Sequence, residues 1–179
     1  MVNPKKHPAD LGLQVARIYS ALLKRGLGNS LKAVYVHGST ASGMRLPQSD
    51  VDIIIVRDFS PKEVALIDPN GIESKTALAV GKRFGIDLQI APLDTHEFIK
   101  MQDPKYLPNR RLFSFGVRAL RKGAVPIFAR KDFIWKYGRN VPKPTNVEKK
   151  YYESRARENA AKRIRLRKNW KRRIKPRVI

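Results

Sequence analysis

The sequence predicts an α/β domain, with helices packed on a small mixed β-sheet, followed by a long basic C-terminal helix. Three observations predict it. Apolar residues recur at helical spacing through Leu11, Val15, Ile18 and Leu22. Two strand-like runs, Lys32 to His37 and Asp50 to Val56, flank a Gly-Ser turn. Finally, the charge balance changes near residue 130. Residues 131–179 hold 18 Lys/Arg against 4 Asp/Glu, a net of +14, while residues 1–130 hold 20 against 11, a net of +9. These divide the chain into a loose basic arm (1–9), a folded domain (10–130) and a basic linker and helix (131–179).

The arm holds Pro4 and Pro8 and has no apolar stretch of the secretory kind. Asp10 is placed to cap the first helix, and Lys24, Arg25 and Gly26 mark its end. After the two strands, Ser60 to Glu63 reads as a capping box with Pro61 at the first helical position, and Pro69-Asn70-Gly71 ends that helix early. Ile72 to Phe84 reads as a further helix that feeds a third strand around Asp87, and Thr95 to Met101 as a helical turn or two. Pro104 to Arg111 reads as a loop leading to a helix through Arg118 to Lys122, and Ala124 to Ala129 as a closing strand. Pro126 removes a ladder donor there, which predicts an edge position. With no cysteine, disulfides and thiolate metal sites are excluded. The longest apolar run is far short of the ~20 residues of a membrane span, so a soluble protein without a membrane partner is expected, in a cytoplasmic or organellar compartment that the sequence does not select.

The chemistry concentrates between Val34 and Val56. A strand's successive side chains point to opposite faces, so Asp50 and Asp52 share one face while Val51, Ile53 and Ile55 share the other. Two adjacent carboxylates repel each other unless one is protonated or a divalent cation lies between them, and hard oxygen ligands suit Mg2+ or Mn2+. Gly38 permits close approach of the backbone, and Ser39 adds a hydroxyl to the free amides of a helix start, a setting for phosphate oxygens. Alone, Ser39 reads as an ordinary N-cap; with two carboxylates eleven and thirteen residues on, it reads as a phosphate ligand. The three histidines are isolated, and none is assigned to a metal or to base catalysis; all three are expected to be solvated.

Gly38-Ser39, Ala41, Gly43 and Ser49-Asp50-Val51-Asp52 in this order resemble the signature of the polymerase-beta-type nucleotidyltransferase superfamily, and within it the minimal nucleotidyltransferases. The resemblance covers roughly residues 11 to 130, with Thr40 and Ser42 departing from the basic or aromatic residues common there. It implies a third carboxylate on a later strand, for which Asp87 is the candidate; by itself, Asp87 reads equally as a surface acid of an edge strand. It also implies transfer of a nucleoside monophosphate from an NTP to an acceptor hydroxyl. Asp50, Asp52 and Asp87 would then be the catalytic metal ligands, and Gly38 and Ser39 the nucleotide-binding pair.

The extension points to a polyanion. Val147 to Lys175 contains no Gly or Pro, and Lys/Arg occupy every face beyond Lys162. Lys162, Arg163, Arg165, Arg167, Lys168, Lys171, Arg172 and Arg173 are the expected phosphate contacts, with Trp170 a stacking or packing anchor, so RNA is the expected partner. Two readings from other classes stay open: a structural or assembly component of an RNA-protein particle such as an organellar ribosome, with rRNA as partner and a vestigial site, and an antitoxin paired with a toxin.

Overall fold

The computed structural model describes residues 8–47, 49–59, 68, 70–103, 120 and 123–135, and single positions between 146 and 161. Helix α1 spans Pro8–Leu27, strand β1 Leu31–His37, the short helix α2 Gly38–Ala41 and strand β2 Val51–Arg57. Helix α3 (Ile72–Phe84) leads to β3 (Leu88–Asp94), and α4 (Thr95–Lys100) follows; β4 (Val125–Ala129) runs into a 3-10 turn, Lys131–Phe133. The sheet order is β3-β2-β1-β4. Strand β2 pairs antiparallel with β1 and parallel with β3, and β4 pairs antiparallel with β1. Crossing from β2 to a parallel neighbour needs a connection long enough to return, and α3 lies in it. Both proline-bearing strands, β3 with Pro92 and β4 with Pro126, take the edges, where a missing N–H costs no ladder bond.

Both faces of the sheet are covered, which is why β2 reads as an almost unbroken apolar run. On one face α1 and α3 bury Val15, Ala16, Tyr19, Leu23, Ala77 and Val80 against Val34, Val36, Val51, Ile53 and Ile55. On the other, Ala33, Tyr35, Ile54 and Val56 meet Leu93, Phe98, Met101, Leu120 and Trp135. A bulge between Leu31 and Ala33 moves Leu31 onto the α1 side despite its odd position.

Three expectations need correction. Helix α1 begins at Pro8, so Asp10 lies in its first turn rather than capping it; and it continues to Leu27, where the Gly28 N–H bonds the Lys24 carbonyl at 3.0 Å. Its buried stripe is rotated, with Tyr19 and Leu23 inside and Leu22 40% exposed, because the helix must cover β1 and α3 together. Third, the fold continues past Arg130. Tyr35 Oη donates to the Phe133 carbonyl and accepts from the Trp135 amide at 2.9 Å, and Trp135 is 4% exposed with its ring 5.5 Å from that of Phe98.

The capping box at Ser60 to Glu63, the loop from Pro104 to Arg111, the segment through Arg118, and Lys162 to Arg177 lie outside the described residues. Of the expected C-terminal helix, Lys150, Glu153, Ser154, Arg157, Glu158 and Ala161 are described, all helical and exposed like Asn146 just before it, with Arg157 and Glu153 3.7 Å apart. Among the described residues no helix is long and apolar enough to cross a membrane.

Candidate functional site

The site forms where β1 ends, β2 begins and β3 begins. His37 closes β1 directly opposite Asp52 of β2, and Asp52 in turn lies beside Gln89 of β3. Cross-strand partners share a face, so His37, Asp52 and Gln89 form a row across three strands on the Tyr35–Ile54 face. One residue before the first β2–β3 pair, Val51↔Leu88, the chain places Asp50 beside Asp87, and the Val51 amide donates to the Asp87 carbonyl at 2.8 Å. The structure therefore brings Asp50, Asp52 and Asp87 to one end of one sheet face. Asp87 is exposed; Asp50 and Asp52 are half-buried.

Gly38 opens α2 with φ +67, and a Cβ there would fall 2.5 Å from Asp52 Oδ2. A side chain at position 38 is thus opposed twice, by backbone conformation and by the carboxylate itself. Ser39 is buried, and its carbonyl accepts from the Met44 amide at 2.8 Å and from Ser42 Oγ at 3.2 Å. Together with the Gly43 N–H on the Thr40 carbonyl at 3.4 Å and φ +74 at Gly43, this ends α2 in a Schellman-type turn. Ser39 is not the N-cap of α2: His37 occupies that position, with no side-chain capping bond.

Gln89 Nε2 donates to Asp50 Oδ2. Gln89 was legible in principle, since it lies two residues beyond Asp87 and so faces the same way. His37 corrects an expectation. It is 5% exposed rather than solvated, because it ends a strand flanked by β2, and burial pushes its imidazole down to about 4, leaving it neutral at pH 7. Neither of the described histidines contributes to a cluster of metal-ligand type, and among the described residues no three of His, Cys, Asp or Glu are grouped so as to hold a metal ion. In kind and in facing, however, the three carboxylates are hard oxygen donors that suit Mg2+ or Mn2+.

A four-stranded mixed sheet with a Gly-Ser turn after β1 and paired acids opening β2 defines a nucleotidyltransferase fold. The profile described as nucleotidyltransferase domain matches residues 16–115, more than half of the chain, and the chain belongs to that family. Among solved structures it is similar to a toxin-antitoxin crystallised with AMP-PNP, at 13% identity and TM-score 0.41, over 88% of this chain and 94% of that one. It is also similar to a mutant of the toxin-antitoxin MntA-HpeT, at 12% identity and TM-score 0.40 over 86% and 96% of the two chains. A Sulfolobus solfataricus protein described as a candidate nucleotidyltransferase matches at 22% identity and TM-score 0.32, over 54% of this chain and 82% of that one. At these scores the likenesses carry no functional inference. No curated protein matches.

Proposed function

We propose that this chain transfers a nucleoside monophosphate from an NTP to an acceptor hydroxyl, on an RNA end or a protein side chain, while its basic extension docks on RNA. The observation that carries this reading is the β2–β3 register, which sets Asp87 beside Asp50 on the face that Asp52 shares. Carboxylates carried on one face at the same end of neighbouring strands repel one another, which favours a site that recruits cations.

Asp50, Asp52 and Asp87 would hold Mg2+ or Mn2+, which when bound supplies charge neutralisation on the attacking and leaving oxygens. The acceptor oxygen forms a bond to the α-phosphorus of the NTP, the bond from that phosphorus to the bridging oxygen breaks, and pyrophosphate leaves with the electron pair. Asp87, the most exposed of the three acids, takes the acceptor proton. Ser39 Oγ and the amides of the Gly38 turn orient the phosphates, and neutral His37 walls the inner side of Asp52 without adding charge. Arg163, Lys168 and their neighbours hold RNA by phosphate contacts.

Incubation with each labelled NTP, Mg2+ and total RNA or protein should label an acceptor with the wild-type chain and not with Asp52→Ala or Asp87→Ala. Absence of label under every NTP overturns the transfer reading. It would favour the second one, a structural component of an RNA-protein particle, for which the loose grouping of the acids and the +14 charge of residues 131–179 already speak.

A further inference from the structure

Arg45 is the bulkiest fully buried side chain of the described fold, 2% exposed, although arginine almost never reaches that depth unless its donors are used. It lies in the connection between α2 and β2, on the way to the carboxylates. Its Nη2 donates at 2.8 Å to the carbonyl of Ser49, the residue before Asp50. Ser49 is itself buried and closes a small turn: its N–H bonds the Leu46 carbonyl at 2.9 Å, and its Oγ accepts from the Leu46 N–H at 3.2 Å.

Helix α1 has made room for this arginine. A Cβ at Gly12 would lie 2.8 Å from Arg45 Cδ and 2.7 Å from Thr40 Cγ2. Glycine inside a helix is destabilising relative to alanine, and here it lets the backbone of α1 close over the arginine and over α2. Helix α1 and the approach to β2 thus meet on one side chain, with α2 against the same glycine, and the segment the arginine restrains is the one delivering Asp50.

We infer that Arg45 is a positioning residue for the site: with its stem covered by Gly12 of α1, its guanidinium fixes the Ser49 carbonyl and so sets where Asp50 enters β2. This rests on the proposed cation-binding role of Asp50 for its functional consequence, but not for the restraint itself. Backbone restraint is what a metal-ligating carboxylate requires, since ligand orientation set from behind the ligand commonly changes metal affinity by about 10–100-fold.

Amide hydrogen exchange in the metal-free full chain separates the two. Arg45→Met keeps the length and removes the donors; Arg45→Lys keeps the charge and one donating group. The amides of Leu46, Ser49 and Val51 should exchange about tenfold faster or more in Arg45→Met, with Ile53 to Ile55 still protected, and less so in Arg45→Lys. Should Arg45→Met fail to fold, the Lys variant is read the same way. Exchange at those amides within about twofold of wild type in a folded variant overturns the inference. Mn2+ titration followed by thermal melting then reads the consequence: apparent affinity drops about tenfold or more in Arg45→Met and partly recovers in Arg45→Lys. Wild-type protein that binds no Mn2+ removes the proposed function, and exchange still decides whether Arg45 holds the approach to Asp50. Wild-type Mn2+ affinity in a variant whose loop has loosened overturns the positioning role.

Discussion

Gly38, which opens α2 directly after β1, lies against Asp52 of the neighbouring β2: the space a Cβ would need at position 38 is taken by the Asp52 carboxylate, 2.5 Å from where that carbon would be. The residue that turns the chain and the residue expected to hold a cation are therefore one packing unit. Gly38→Ala should displace Asp52 and strain a backbone at φ +67, costing roughly 1–3 kcal/mol in urea unfolding. It should also abolish metal-dependent stabilisation. A variant melting like the wild type, with its metal response intact, would show that the packing at this position is slack.

The carboxylates predict a response to divalent ions. Millimolar Mg2+ or Mn2+ should raise the melting temperature of the wild type, and an Asp50→Asn/Asp52→Asn variant should lose that response. Without metal the variant should melt no lower than the wild type, because two like charges have been removed. An unchanged wild-type melting curve across the titration counts against a working site.

At the far end of the sheet Arg57 Nε and Glu73 Oε1 form a buried pair at 2.5 Å, and Tyr19 Oη donates to the Glu73 carbonyl at 3.2 Å. Removing one partner leaves the other charge buried. Glu73→Gln should thus cost about 3–5 kcal/mol, whereas replacing both residues by Met should cost clearly less. Equal losses in the single and double variants, measured by urea unfolding, would mean that the pair acts through volume alone.

Tyr35 predicts an alkaline transition. Burial pushes its phenol up to about 12, partly offset by the hydrogen bond from the Trp135 amide. The unfolded chain ionises near 10, so it releases the proton first as pH rises. Stability is full below pH 10 and falls between 10 and 12, by at most about 1.4 kcal/mol per pH unit. Tyr35→Phe should remove that segment of the pH profile and lower stability at neutral pH by about 1–3 kcal/mol, since the buried Trp135 N–H loses its acceptor.

The extension predicts a salt signature. If Arg163, Arg165, Arg167, Lys168 and Lys171 neutralise phosphates, changing all five to Gln should lower the slope of log affinity for RNA against log salt by about 0.7–0.9 for each phosphate left unneutralised. RNA affinity and slope equal to the wild type in a filter-binding titration would place RNA recognition elsewhere.

The elements that rest on local chemistry were legible in the sequence. Helical spacing located α1 and α3, the Gly-Ser turn between two apolar runs located α2, and strand alternation put Asp50 and Asp52 on one face. Pro126 marked an edge strand, because a residue without an N–H is a liability wherever a neighbour needs its donor. What depends on partners was not legible. That Asp87 lies beside Asp50 follows from the parallel β2–β3 register, which residues on β3 do not specify alone. His37 is buried because β2 runs past the end of β1, and Trp135 because Tyr35 offers it an acceptor from 100 residues away. Arg45 carries no periodic signal at all: only the meeting of α1, α2 and the β2 approach decides that its charge goes inside. Period, caps and turn residues act over a few residues and are written in the chain, whereas burial and register belong to whichever surfaces the folded chain brings together.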